Sequence, residues 1–144
     1  MEFKFLILIV VITAILIILK NEPQVKYTKV TIGSVEVNTE IADTPLKHIK
    51  GLMFRKSLPE NNGMLFIFNN EDYYNFWMVN TTIPLDMIWI NRDMEIVHIE
   101  KNTQPCFINC KIYSPKEKAK YVLEANAGFV DKHKIEVGHF IELR

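Results

Sequence analysis

The sequence predicts an α+β fold, mainly antiparallel β, in which a compact curled sheet or small barrel carries one or two short helices. Short alternating segments bounded by turn residues recur from Tyr27 to the end of the chain. Only Thr44-Pro45 gives a strong helix-start signal within that region. The run Phe5–Leu19 is apolar on every face and predicts an N-terminal transmembrane helix in addition.

The first twenty residues are expected to form a membrane anchor. Phe5–Leu19 contains fifteen residues, fewer than the roughly 20 that a bilayer requires, and tilt with lysine snorkelling from Lys4 and Lys20 would close the gap. No small-residue cleavage site follows, so residues 1–20 are interpreted as an uncleaved signal anchor. A cleaved signal segment and a buried core helix are the alternatives. Residues 21–26 form a linker, and residues 27–144 form the β-rich domain.

The β-rich domain is expected to open with a hairpin and a helix. Tyr27–Ile32 and Val35–Ile41 alternate in polarity, and the two residues Gly33-Ser34 between them suit a type II′ turn. Thr44 can cap a helix whose first residue is Pro45. The apolar stripe expected along that helix is Leu46, Ile49, Leu52 and Met53.

The rest of the domain is predicted to be strands joined by loops. A loop from Lys56 to Gly63 precedes them, a long loop covers Lys101–Lys118, and Gly128–Lys134 is expected to form a short helix. The predicted strands are Met64–Phe68, Asn75–Thr81, Leu85–Asn91, Glu95–Glu100, Ala119–Ala125 and Val137–Leu143.

The charge balance and the motif content narrow the function classes. Lysine plus arginine and aspartate plus glutamate number 17 each, so the formal net charge is zero. Nucleic acid is therefore not expected as a partner, because proteins that bind it carry a basic surface. The four histidines are scattered and no phosphate loop or nucleophile signature is present, so neither a metal nor a cofactor is predicted.

Cys106 and Cys110 are the only two cysteines, spaced C-x₃-C in the long loop. We expect a disulfide between them, with two free thiols as the alternative, since a zinc site needs more ligands. A disulfide requires an oxidising compartment and so favours an extracytoplasmic domain at the cell membrane. Secretion after signal cleavage is the alternative location.

Polar residues interrupt the otherwise apolar segment Phe76–Ile90. A buried polar group without a hydrogen bond costs roughly 1–3 kcal/mol, so either the fold or a ligand must satisfy these groups. Arg55 is expected to pair with Asp86 or Glu124. The residues hypothesised to gather in one ligand-binding cleft are Arg55, Trp77, Asn80, Thr81, Asp86 and Glu124.

Five ordered runs resemble the signature of the uncharacterised family called domain of unknown function 192, also uncharacterised protein family 0127. They cover the soluble part of the chain: GLMFR from Gly51, GMLF from Gly63, FWMVNT from Phe76, PLD from Pro84 and YVLEANAG from Tyr121. The resemblance implies a small β-rich domain, often exported or membrane-anchored. It implies no established activity and no catalytic residues.

Three function hypotheses remain open from the sequence. The preferred one is a membrane-anchored extracytoplasmic domain that binds a small polar ligand, for example a saccharide, in the polar cleft. The second is a carboxylate-based hydrolase that uses Asp86 and Glu124, which would then lie about 5–10 Å apart. The third is a structural or accessory envelope protein, which would bind another envelope protein and have saturated polar groups and no cleft.

Overall fold

The computed structural model describes residues 7–13 and 24–144. Residues 7–13 are helical and are labelled α1. The predicted anchor (residues 1–20) and linker (21–26) lie largely outside the described residues. Within the described ranges, no helix is both long and apolar enough to cross a membrane.

Nine strands and two further short helices make up the described domain. The helices are α2 (Pro45–Lys50) and α3 (Phe129–Lys132). The strands are β1 (Tyr27–Ile32), β2 (Val35–Ala42), β3 (Asn62–Asp72), β4 (Phe76–Trp77), β5 (Leu85–Ile90), β6 (Ile96–Thr103), β7 (Ile112–Tyr113), β8 (Ala119–Asn126) and β9 (Ile141–Leu143).

Seven of the strands form one curled sheet in the order β6-β5-β8-β3-β2-β1-β9, and β4 pairs separately with β7. Every pair in the large sheet is antiparallel except β2–β3. The two ends of the sheet meet, because Ile96 donates its N–H to the carbonyl of His139 at 2.8 Å and Ile141 donates to Met94 at 2.8 Å. The predicted α+β class with a curled, barrel-like, mainly antiparallel sheet is confirmed.

Apolar residues pack on both faces of this sheet. The inner cluster includes Val30, Ile88 and Ile96, and it joins residues from both ends of the sheet, as the inside of a curl requires. The outer cluster includes Met87 and Trp89 and is covered by the chain around α2 and β4. All six residues of β5 are buried, which explains why five of them are apolar, Asp86 being the exception.

The hairpin and the helix start agree with the sequence prediction. Gly33 has a φ of +60°, as the first central position of a type II′ turn requires. The Thr44 hydroxyl accepts a hydrogen bond from the N–H of Lys47 at 3.4 Å. The helix ends at Lys50, since Gly51 has a φ of +45°.

Other sequence expectations are wrong at least in part; the strand predicted over Val137–Leu143, for example, covers only Ile141–Leu143. The apolar stripe predicted along α2 is buried only in part: Leu46 is 80% exposed and Ile49 is 61% exposed, whereas Leu52, which follows the helix, is 2% exposed. The strand predicted over Asn75–Thr81 is only two residues long. Asn80, which lies inside the predicted strand, has a left-handed backbone (φ +54°) that an extended strand does not adopt, and it bonds to a loop.

Candidate functional site

A cavity of about 340 Å³ opens on the outer face of the sheet. Strands β3 and β8 form its floor, the chain through α2 forms one side, and the β4–β7 ribbon forms the other. Its lining residues are His48, Ile49, Lys50, Gly51, Leu52, Met53, Phe66, Phe68, Tyr74, Asn75, Phe76, Trp77, Thr81, Ile112 and Glu124.

Glu124 supplies the carboxyl group of this cavity. It lies on β8 between Met64 of β3 and Met87 of β5, its direct neighbours across the sheet. The residue is only 4% exposed, and none of the described residues donates a hydrogen bond to its buried Oε2. Burial among apolar neighbours raises the pKa of Glu124 to about 8, so the group is mostly protonated at neutral pH.

Aromatic rings form most of the cavity wall. Phe66 and Phe68 point to the same face of β3 as Met64, because side chains alternate along a strand. Phe76 packs perpendicular to Phe66, with an interplanar angle of 85° and 4.8 Å between ring centroids. Tyr74 stacks on Phe68 at 3.5 Å. The wall is therefore closely packed and largely apolar.

Gly51 lets the chain after α2 pass close to the floor of the cavity. A Cβ at this position would lie 3.3 Å from the ring of Phe66 and 3.9 Å from Oε2 of Glu124. Nearby, Nε2 of His48 lies 3.0 Å from the carbonyl of Ala42 and 3.1 Å from that of Ile67. Nε2 must carry the proton to serve these two acceptors, and this bond holds the imidazole in the cavity wall.

Three of the six residues predicted to form a binding cleft line the cavity: Trp77, Thr81 and Glu124. Trp77 is 51% exposed and stands at the mouth opposite the buried Glu124. Thr81 is buried, and its hydroxyl donates to the carbonyl of Val79 at 3.4 Å. The structure thus brings together an exposed indole, a hydroxyl and a carboxyl group.

Arg55 lies outside the cavity, and its expected pairing with Asp86 or Glu124 is wrong. Its guanidinium donates two hydrogen bonds of 2.5 Å to the carboxylate of Glu40 on β2. This hydrogen bonding to Glu40 is the main cause that raises the pKa of Arg55. The pair ties the segment after α2 to the edge of β2, as an internal ion pair.

Asp86 is fully buried on the inner face of the sheet and does not reach the cavity. Its Oδ1 accepts the N–H of Asn102 at 2.8 Å and its Oδ2 accepts the N–H of Val130 at 2.9 Å. Both oxygens are therefore used to join β5 to the end of β6 and to the start of α3. The expectation that Asp86 shares a cleft with Glu124 is wrong.

Asn80 also lies outside the cavity lining. Its N–H donates to the carbonyl of Cys106 at 3.0 Å, and its own carbonyl accepts the N–H of Phe54 at 2.8 Å. It therefore acts as a backbone junction between two loops. The loop that it contacts is closed by a disulfide between Cys106 and Cys110, the pairing expected from the sequence.

Sequence reasoning missed most of the cavity wall. His48, Phe66, Phe68, Tyr74 and Phe76 carry no motif and resemble ordinary core residues. A signal was nonetheless present, because Met64, Phe66 and Phe68 alternate on the face that β3 shares with Glu124. In the described part of the chain, no three His, Cys, Asp or Glu side chains converge as metal ligands.

Family comparison connects the chain with uncharacterised proteins. The model of the family DUF192, described as "Uncharacterized ACR", matches residues 28–143. A UPF0127 protein from Pyrococcus abyssi is 30% identical over 112 residues, which cover 74% of this chain and 86% of the relative. A UPF0127 protein from Thermococcus sibiricus is 31% identical over 108 residues, which cover 72% of this chain and 64% of the relative. The chain spans just under two thirds of the three Thermococcus relatives, between 62% and 65% of their length.

Two crystal structures share the fold. A protein from Sinorhizobium meliloti 1021, described as a candidate transcription regulator, superposes with a TM-score of 0.77 at 31% identity, covering 85% of this chain and 98% of its own. A protein of unknown function from Novosphingobium aromaticivorans superposes with a TM-score of 0.72 at 33% identity, and the match covers 83% of this chain and 85% of that protein. Since the family model spans nearly the whole described domain, this chain belongs to the uncharacterised DUF192 family of UPF0127 proteins.

Proposed function

We propose that the domain binds a small organic molecule in the cavity beside Glu124. The observation that carries this proposal is a buried carboxyl group without a hydrogen-bond partner, facing a 340 Å³ cavity walled by aromatic rings. Cavities of this volume and apolar character with few polar groups are typical of small-molecule sites. A side chain that served the fold alone would be bonded to its neighbours, as Asp86 is.

The composition of the wall limits the kind of ligand. Its side chains offer few polar groups deep in the cavity, chiefly Glu124 and Thr81, against several aromatic rings. A saccharide carries hydroxyl groups around its whole ring and needs many polar partners. A ligand with an apolar body and a single polar head therefore fits this cavity better than the sugar suggested by the sequence.

The two other hypotheses find less support in the geometry. Asp86 and Glu124 lie on opposite faces of the sheet, so they do not flank a common bond as a two-carboxylate hydrolase requires. A purely structural role predicts saturated polar groups and no cavity, whereas Glu124 is unpartnered and lines one.

We further propose that the domain works outside the cytoplasm, tethered to the membrane. The support is the apolar run Phe5–Leu19 and the disulfide between Cys106 and Cys110. Protease added to intact cells should digest the domain, while a cytoplasmic marker survives. Protection of the domain until the cells are lysed would contradict this location.

The binding proposal is tested by ligand screening on the full chain in non-ionic detergent. Small molecules that enter the cavity should raise the thermal unfolding midpoint, because binding to the folded state stabilises it by mass action. Trp77→Ala removes the aromatic residue at the mouth and should weaken each hit about tenfold or more. Tyr73→Ala is the matched control, since Tyr73 is similarly exposed but does not line the cavity. Hits that bind Trp77→Ala and wild type equally would contradict the proposal.

A further inference from the structure

We infer that the polar head of the ligand is an ammonium cation, held by the carboxylate of Glu124 within the aromatic wall. This inference rests on the proposed function, because it specifies the class of molecule that the same cavity takes.

The first observation is that Glu124 has no partner of opposite charge. Oε2 is sealed from solvent and accepts no hydrogen bond. Its neighbours across the sheet on both sides are methionines, Met64 and Met87. A carboxyl group in such surroundings is neutral, since an isolated buried charge is costly. A cation brought by a ligand would supply the missing partner.

The second observation is the arrangement of the rings. Phe76 is perpendicular both to Phe66, at 85°, and to Phe68, at 88°, so the rings form a corner beside the carboxyl group. Trp77 adds an exposed indole at the mouth. Aromatic faces attract cations through their quadrupole, and binding sites for substituted ammonium groups are built from such rings.

None of the other titratable groups that line the cavity pairs with Glu124 as a cation. The other titratable lining residues are His48, Lys50 and Tyr74. Nε2 of His48 is taken by two backbone carbonyls, and Lys50 is exposed. None of the three donates a hydrogen bond to Glu124, and burial alone accounts for the raised pKa of its carboxyl group.

Binding of an ammonium ion should therefore release a proton. At pH 7 the carboxyl group of Glu124 is mostly protonated. When the ammonium arrives, the O–H bond of Glu124 breaks, the proton passes to the buffer, and an N–H of the ligand donates to the resulting carboxylate. The ligand keeps all its own protons, so close to one proton is released for each molecule bound. A neutral ligand would release none.

The test compares 2-phenylethylamine with 2-phenylethanol, two probes that share their apolar body and differ in the head group. Isothermal titration calorimetry on the full chain in maltoside micelles, at pH 7 in phosphate and in Tris, measures affinity and proton release together. Wild type should bind the amine at least about tenfold more tightly than the alcohol and release close to one proton. Glu124→Gln should abolish both the preference for the amine and the proton release, while it still binds the alcohol. Glu117→Gln is the matched control, because this exposed carboxylate lies away from the cavity lining.

The outcomes separate the inference from the proposed function. If the alcohol binds as tightly as the amine, or the amine binds without proton release, the ammonium inference is overturned and the cavity remains a ligand site. If Glu124→Gln keeps the preference for the amine, the inference is overturned as well. If neither probe binds wild type while other molecules from the screen do, the ammonium inference alone fails. If no molecule binds, both proposals fail.

Discussion

Asp86 and Glu124 lie on neighbouring strands, yet their side chains point to opposite faces of the sheet. In the register of β5 and β8, Met87 is opposite Glu124, whereas Asp86 is opposite Ala125. Because side chains alternate along a strand, this offset of one residue sends one carboxyl group inward and the other outward. The two acidic residues therefore have different roles: Asp86 joins elements of the fold, and Glu124 faces the cavity.

Asp86→Asn should destabilise the fold without changing ligand binding. In the variant, one of the two carboxylate oxygens is replaced by an NH₂ group. This NH₂ group would face the backbone N–H of Asn102 or of Val130, so two donors would meet and one hydrogen bond would be lost. Loss of a hydrogen bond to a charged group costs about 1.5–3 kcal/mol. Urea unfolding measures the change. The exposed Asp93→Asn is the control, expected within about 0.5 kcal/mol of wild type, and equal stability of the two variants would contradict the assigned role.

Glu124 should make the protein less stable as the pH rises. Its pKa is about 8 in the folded state against an ordinary value of 4.5, so between these values the folded state holds a proton that the unfolded state has released. Relative to Glu124→Gln, wild type should lose about 1.4 kcal/mol per pH unit across that window, with the full stabilisation present below pH 4.5. Parallel stability curves for the two proteins between pH 5 and pH 8 would show that the carboxyl group is not buried in its neutral form.

Arg55 and Glu40 should couple weakly and in a salt-dependent manner. Their two hydrogen bonds are short, at 2.5 Å each, but both side chains are partly exposed to solvent. A double-mutant cycle with Arg55→Met and Glu40→Gln should therefore give a coupling energy of about 1 kcal/mol, reduced in 1 M salt. Neither variant should affect binding in the cavity. A loss of ligand affinity in Arg55→Met would contradict the separation of this ion pair from the site.

Gly63→Ala should be more destabilising than Gly33→Ala. A Cβ on Gly63 would lie 2.5 Å from the backbone carbonyl oxygen of Glu124, so β3 and β8 would have to move apart. Overpacking of this kind costs about 1–3 kcal/mol, and here backbone atoms must shift. Gly33 meets nothing within 4 Å and carries only the strain of its positive φ, about 1 kcal/mol. Chemical denaturation of both variants measures the order, and its reversal would contradict the close approach at Gly63.

The disulfide between Cys106 and Cys110 should contribute modestly to stability. It closes a short loop, for which reduced entropy of the unfolded chain gives about 2 kcal/mol. Replacing both cysteines with serine should lower the thermal midpoint, and a reducing agent should shift wild type toward the variant. An unchanged midpoint in both experiments would mean that the loop from Cys106 to Cys110 is held without help from the disulfide, by backbone bonds such as the one from Asn80 to Cys106.

Local sequence patterns were sufficient for most elements of the fold. The turn at Gly33, the cap at Thr44 and the alternating strands all depend on residues close together in the chain, which is why they could be predicted. The length of the strand predicted over Asn75–Thr81 was overestimated. Asn80 in this segment has a left-handed backbone and bonds to Phe54 and Cys106, which are distant in sequence, so local patterns could not reveal its conformation.

The candidate site depended on the tertiary structure to a greater degree. The sequence by itself determined that polar groups occur within apolar strands, and that Asp86 and Glu124 each share a face with apolar residues. Only the packing of β5 against β8 decided that these two faces are opposite, and only the chain through α2 and the β4–β7 ribbon enclosed Glu124. The physical reason is that alternation defines the two faces of each strand, whereas strand register and the covering segments decide which face becomes a cavity.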